Sequence, residues 1–174
     1  MPNSTADLAA RQAIAELLAA YADAVWRHDY DAFAHCFAED GEWRISGLEL
    51  RGREAIRATI AQIMARLRKV RISFATPILS IGETTASGRV LMSEQCAWHN
   101  GETNLALGTY YDRFCLTAQG WRFAWRLFAQ EYRGPPDLSG TWFAVPDYGA
   151  PPAMPPRDAA TPDVATRRWG LGES

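Results

Sequence analysis

Tyr21-Ala-Asp-Ala-Val-Trp26-Arg-His-Asp29-Tyr30-Asp31, running on to Phe37-Ala-Glu-Asp40, reads as the end of an amphipathic helix, a break, a short helix and the opening of a strand. Upstream, Asp7 is a candidate N-cap, and Ile14, Leu17, Leu18, Tyr21 and Val25 recur at helical spacing, so a helix is predicted from about Leu8 to His28. Asp29 then caps a short helix from Tyr30 to Phe37. Downstream, Glu42 to Ser46 and Leu48 to Arg51 predict a small hairpin around Gly47. Gly52 opens a third helix with Ile56, Ile60 and Ile63 on one face. From Arg71 the pattern changes to strands, predicted over 71–81, 87–99, 104–116 and 121–133, with turn signals at Gly82, Asn100-Gly101 and Gln119-Gly120. Helices first and a meander afterwards predict an α+β domain, three N-terminal helices covering one face of an antiparallel sheet.

With 174 residues, 48% hydrophobic and 11% aromatic, the chain has material for one domain with a real core. Its net charge of −2, without a basic block, argues against nucleic acid as a partner. Cys36, Cys96 and Cys115 are odd in number and widely spaced, which suggests buried thiols in a reducing compartment. The N-terminus lacks the pattern of a secretion signal, and no apolar run reaches the ~20 residues that cross a bilayer. The expected setting is cytoplasmic. Residues 1–133 are expected to form the domain and 134–174 a separate arm, because eight of the ten prolines fall between Pro135 and Pro162. Trp142, Phe143, Tyr148, Met154 and Trp169 give that arm apolar material to pack on its own domain or a neighbouring subunit; a disordered tail is the alternative.

A second segment, Gly108-Thr-Tyr110-Tyr-Asp112-Arg-Phe114 followed by Gly120-Trp121-Arg-Phe123, reads as two strands joined by a hairpin. Together with the first segment it resembles the SnoaL-like proteins of the nuclear transport factor two superfamily, over roughly residues 8–133. That resemblance implies a cone: helices over a curved sheet that encloses an apolar pocket. Known activities in the superfamily include ketosteroid isomerisation, scytalone dehydration, dehydrochlorination, polyketide cyclisation and epoxide opening, and other members only bind ligands or partner chains. Leu138 to Pro146 looks like the C-terminal arm of the dehydrochlorinase and scytalone dehydratase branch, which implies a homo-oligomer, a trimer before a dimer, and an arm that helps close the pocket.

The resemblance also implies roles for single residues. Tyr21 falls where ketosteroid isomerases place an oxyanion-hole tyrosine, and Asp112 where they place a protonated aspartic acid. Trp43 matches a pocket tryptophan of the dehydrochlorinase. The isomerase base position holds Ile45, the dehydratase and dehydrochlorinase aspartate position holds Trp26, and their histidine falls near Ser73 or Arg71. The usual general base is therefore lost or moved.

Read from their own chemistry, Tyr21, Asp112 and His99 are the catalytic candidates. A phenol on the sheet-facing side of the first helix can hydrogen-bond a developing enolate. Asp112 shares a strand face with Tyr110 and Gly108, and is either an acid of raised pKa or a structural partner of Arg126 or Arg113. His99 beside the Asn100-Gly101 turn suits acid–base work near neutral pH, or is simply solvated. His28 and His35, at the helix break, read as surface residues. Alternation sends one of Glu94 and Gln95 inward: Glu94 would be a displaced base, Gln95 a hydrogen-bonding group for substrate. Asp23, about 200° around the helix from Tyr21, should not share a pocket with it. Trp26, Trp43, Ile45, Phe74, Gln95 and Tyr110 are the expected substrate-binding set, an aromatic wall or plain core. No HxH, HExxH or glycine-rich phosphate loop occurs, so cofactor-free chemistry without a metal is expected. Two functions follow: a lyase or isomerase acting on a hydrophobic aromatic or polycyclic oxygenated small molecule by dehydration, double-bond shift or retro-aldol cleavage, or a non-catalytic binding protein or small subunit of an oxygenase-type complex.

Overall fold

A computed structural model describes residues 5–160. Helix α1 spans Thr5–Arg27 and buries Ile14, Leu17, Leu18, Tyr21 and Val25, the stripe predicted from spacing. It stops one residue short of the predicted end because His28 takes the left-handed conformation, φ 56°. Helix α2, Tyr30–His35, is capped by Asp29, whose Oδ1 accepts from the Ala32 N–H at 2.9 Å. Strands β1 (Phe37–Ile45) and β2 (Leu48–Arg51) form the predicted hairpin. Helix α3, Arg53–Met64, starts at Gly52, whose φ of 80° suits glycine.

The predicted strand over 71–81 is two strands, β3 (Leu67–Phe74) and β4 (Ile78–Ile81). Pro77 cannot donate to a ladder, and the chain breaks there. Both pieces pair antiparallel with β5 (Thr85–Trp98), which continues into β6 (Thr103–Thr117) and β7 (Gly120–Gly134). The sheet order is β2-β1-β7-β6-β5-β3, with β4 on β5 and the short β8 (Thr141–Trp142) on β7.

One ladder corrects the antiparallel expectation: β1 runs parallel to β7, Trp43 opposite Arg126, so the sheet is mixed. The helical connection through α3, together with the meander, returns the chain to β1 in the same direction, an arrangement that hairpin spacing alone does not reveal. The helices cover the concave face, where most of the core lies, including Tyr21, Phe33, Phe37, Trp43, Tyr110 and Phe123.

After Gly134 the chain crosses to the outer face. There Val145, Tyr148, Met154 and Ala159 pack on Tyr111, Trp125, Leu127 and Ala129. Trp169 lies outside the described residues. Among the described residues no helix is long and apolar enough to cross a membrane.

Candidate functional site

Between α1, α3 and the concave sheet lies an interior cavity of about 40 Å³. Alternation decides what reaches it. On β5, Val90, Met92, Glu94, Cys96 and Trp98 face in; Leu91 and Gln95 face out. On β6 the inward face carries Tyr110 and Asp112. Tyr21 and Val25 come from α1, Trp43 and Ile45 from β1, Ile60, Ile63 and Met64 from α3, and Arg133 from the end of β7.

The polar content of this lining is small and specific. Tyr21 and Tyr110 share a hydrogen bond between their hydroxyls, 3.3 Å apart. Burial, with the neighbouring phenol, pushes the Tyr21 hydroxyl well above its ordinary value, and burial pushes Tyr110 up to about 12. Both stay protonated at neutral pH and can donate. The Glu94 carboxylate accepts from the Cys96 thiol at 3.2 Å. Burial raises its pKa, and the Cys96 bond and the charge of Arg133 pull it back. Burial likewise raises the Cys96 thiol, with Glu94 adding to the effect, so the sulfur remains a thiol. The indole N–H of Trp43 is buried without an acceptor among the described residues. An enclosed, uncommitted donor of that kind leaves a hydrogen bond open to a ligand.

Asp112 stands outside the cavity lining. It forms a fully buried ion pair with Arg126, Oδ1 to Nε 3.2 Å. The Arg126 guanidinium carbon lies 3.8 Å from the Tyr110 ring centroid, 4.2 Å from Phe123, 4.3 Å from Tyr21 and 5.3 Å from Phe74. This cation, caged by four rings, holds the two phenols from below. Burial raises Asp112 to about 7, against the lowering effect of Arg126. Asp112 thus combines both features weighed for it, a pairing with Arg126 and a pKa raised by burial.

Tyr21, Tyr110, Trp43 and Ile45 therefore meet at the cavity, while Phe74 packs behind them against Tyr21 and Tyr110. Three expected residues do not reach it. Trp26 is 55% exposed, because it leaves α1 on the side away from the buried stripe. Gln95 points to the outer face, since Glu94 takes the inward position, and with Trp26 it lines a separate hollow of about 430 Å³. His99 is exposed beyond the end of β5, its backbone N–H bonded to the Arg66 carbonyl at 3.0 Å. His35 is exposed, and its Nδ1 lies 2.7 Å from the Asp31 carbonyl oxygen. Glu94 and Arg133 are the chemistry-bearing residues that reach the cavity instead. Glu94 had a signal in the strand alternation; Arg133 had none beyond its place at a strand end. Among the described residues no group of three or more His, Cys, Asp or Glu is arranged to hold a metal ion.

The model of the SnoaL-like domain matches residues 6–126. The chain belongs to the SnoaL-like family. Its solved structural neighbours agree with the architecture. A candidate aromatic ring hydroxylase from Novosphingobium aromaticivorans is 27% identical, with 77% of this chain and 94% of that one covered and a TM-score of 0.69. A candidate scytalone dehydratase from the same organism covers 97% of both chains at 18% identity and TM-score 0.71, a likeness of fold. A hexachlorocyclohexane dehydrochlorinase from Novosphingobium barchaimii, at 19% identity, covers 81% of this chain and 98% of that one with TM-score 0.69. No curated protein matches the sequence. In this SnoaL-like domain a small cavity lies on the concave side of the sheet, and Glu94 of β5 is the carboxyl that lines it among the described residues.

Proposed function

We propose that this SnoaL-like protein is a lyase or isomerase in which Glu94 moves a proton on a hydrophobic oxygenated small molecule while Tyr21 stabilises the oxyanion. One observation carries the reading: the Glu94 carboxylate and the paired Tyr21 and Tyr110 hydroxyls face one enclosed cavity. A carboxylate whose pKa is raised by burial is a stronger base than a solvated one, and sits nearer the operating pH. Two neutral phenols, one donating to the other, leave one O–H to point at a developing enolate. Proton removal next to a carbonyl is the first step of double-bond shift and of β-elimination, while retro-aldol cleavage starts with proton removal from the β-hydroxyl and releases the same kind of enolate as the C–C bond breaks. The dehydratase and dehydrochlorinase neighbours support the class of reaction and do not specify its substrate.

A cavity of about 40 Å³ is smaller than the roughly 150 Å³ that accommodates a benzene ring. Substrate entry therefore requires the lining side chains to give way, and among them the unbranched Met64 is the one best suited to repack. The same small volume favours a second reading, a non-catalytic subunit of an oxygenase-type complex. Exposed Leu91 on the outer face and the aromatic ring hydroxylase neighbour support it.

Deuterium exchange separates the two. Aromatic ketones and β-hydroxyketones are incubated in heavy water with the protein, and α-deuteration or elimination is followed by NMR. The wild type is expected to accelerate exchange on at least one class, and Glu94→Gln to lower that rate by roughly 10²–10⁴-fold. No acceleration by the wild type would favour the subunit reading, and an undiminished rate in Glu94→Gln would remove Glu94 from the proton transfer.

A further inference from the structure

Arg126 is a charge that the reaction as described leaves unused, and strand register fixes its place. On β7 it lies opposite Trp43 of β1 and opposite Asp112 of β6. The guanidinium is fully buried, yet its nitrogens make no hydrogen bond among the described residues. Its charge is met by one carboxylate oxygen, Asp112 Oδ1 at 3.2 Å, and by ring faces. Two of those rings are the phenols whose hydroxyls lie 3.3 Å apart, with the guanidinium carbon 3.8 Å from the Tyr110 centroid and 4.3 Å from that of Tyr21. A phenol that leans its proton toward an acceptor pushes electron density into its ring, and a cation over the ring face stabilises that density. Away from water the attraction is little screened. The surrounding charges act with the signs this requires. Burial holds both phenols protonated; Arg126 pulls both back, Glu94 pushes both up, and Asp112 pushes Tyr110 up.

We propose that Arg126 is a positioning residue that polarises the Tyr21 and Tyr110 hydroxyls toward the substrate oxygen, and that Asp112 sets the strength of this effect by offsetting part of its charge. The inference rests on the reading of Tyr21 as the oxyanion donor. An arginine suits the role because its planar, weakly hydrated guanidinium stacks on aromatic faces where an ammonium would keep seeking water. A pair that served stability alone would be damaged in the same sense by loss of either partner, since each loss leaves a buried charge or dipole without its complement. A tuning pair answers with opposite signs: losing Arg126 weakens the donor, and losing the Asp112 charge strengthens it.

Two variants and two readouts test this. The replacement Tyr21→difluorotyrosine gives a phenol that ionises at lower pH than tyrosine, followed by its absorbance above pH 8, where Asp112 carries its charge. In that background Arg126→Met should raise the midpoint of the phenol titration by at least about one pH unit, and Asp112→Asn should lower it. The second readout is exchange in heavy water with Tyr21 intact. There Arg126→Met should slow the reaction roughly tenfold or more, and Asp112→Asn should speed it roughly threefold. Asp112→Asn keeps the side-chain shape, so its sign alone decides the matter should Arg126→Met not fold. A midpoint that stays or rises in Asp112→Asn overturns the tuning, and leaves the proposed reaction standing if exchange still depends on Glu94. Midpoints that move in opposite directions without any exchange by the wild type would uphold the tuning of Tyr21 and remove the reaction.

Discussion

Two carboxyl groups on neighbouring strands face the concave side of this sheet, and their surroundings divide the work between them. Glu94 has the Cys96 thiol and the charge of Arg133 for company and borders a cavity; Asp112 has Arg126 at 3.2 Å and borders none. The Asp112 arrangement makes a prediction about pH. Its carboxyl holds a proton more tightly folded, at about 7, than unfolded, where an aspartate titrates near 4. The folded state thus binds the extra proton in that window, and the stability this confers is complete below about pH 4 and lost as the pH rises through about 7. Thermal melts from pH 4 to 8 should show the wild type losing stability relative to Asp112→Asn as the pH climbs, by at most about 1.4 kcal/mol per pH unit. A gap that stays constant, or one that moves the other way, would mean that Arg126 dominates and holds the carboxylate charged. Tyr21 and Tyr110 were legible in the sequence, because helical spacing and strand alternation place them without long-range information. The choice between Glu94 and Gln95 was not, since a slip of one residue exchanges the faces of a strand and only the pairing of Glu94 with Ala106 and Ile72 settles it. The pairing of Arg126 with Asp112 was one of the alternatives the sequence offered, but the ring cage around this buried arginine was hidden, because it draws on four separate elements.

At the level of elements, the three helices and the long strands were readable from local pattern, while two features of the sheet were not. The break at Pro77 escaped because the flanking strands read as one apolar run, and the parallel ladder between β1 and β7 joins segments about eighty residues apart. The β6–β7 ladder shows how tightly such pairing is built. It shifts register between Leu107 and Gly108. A Cβ added at Gly108 would lie 2.4 Å from Phe128 Cε2 and 2.5 Å from the Ala129 carbonyl oxygen. The ring could turn, but the carbonyl belongs to the neighbouring strand and cannot. Phe128 in turn packs on Tyr110, with ring centroids 5.0 Å apart. Gly108→Ala is therefore expected to cost about 1–3 kcal/mol in urea unfolding and to disturb the Tyr110 hydroxyl. A loss below about 0.5 kcal/mol would show that the two strands separate easily at this point.

Across the whole molecule, the proline-rich arm completes the outer face of the sheet. Tyr132 anchors its start: the hydroxyl donates to the Pro135 carbonyl at 2.6 Å and accepts from the Gly140 N–H at 2.9 Å. Further on, Tyr148 meets Tyr111 edge to face, centroids 5.3 Å apart. Arg113 reaches the Pro155 carbonyl at 2.8 Å, and Arg44 reaches the Ala159 carbonyl at 2.9 Å. Proline suits this path because an extended strap lying across a sheet face needs few backbone donors and has less entropy to lose on ordering. Beneath the strap lie Trp125, fully buried, and Leu127, 2% exposed. Ending the chain after Gly134 would return both to water, together with Tyr111, at about 1.5–3 kcal/mol for each large side chain. It would also strip two carbonyl acceptors from the buried or half-buried arginines Arg44 and Arg113. The truncated protein should melt at least about 10 °C below the full chain, taking roughly 2–4 °C per kcal/mol for a domain of this size. Tyr148→Ala, which removes one contact and leaves the strap in place, should cost about 1–2 kcal/mol. Calorimetric melts of the two variants beside the full chain decide the matter. Coincident transitions would mean that the arm detaches before the domain unfolds and contributes nothing to its stability.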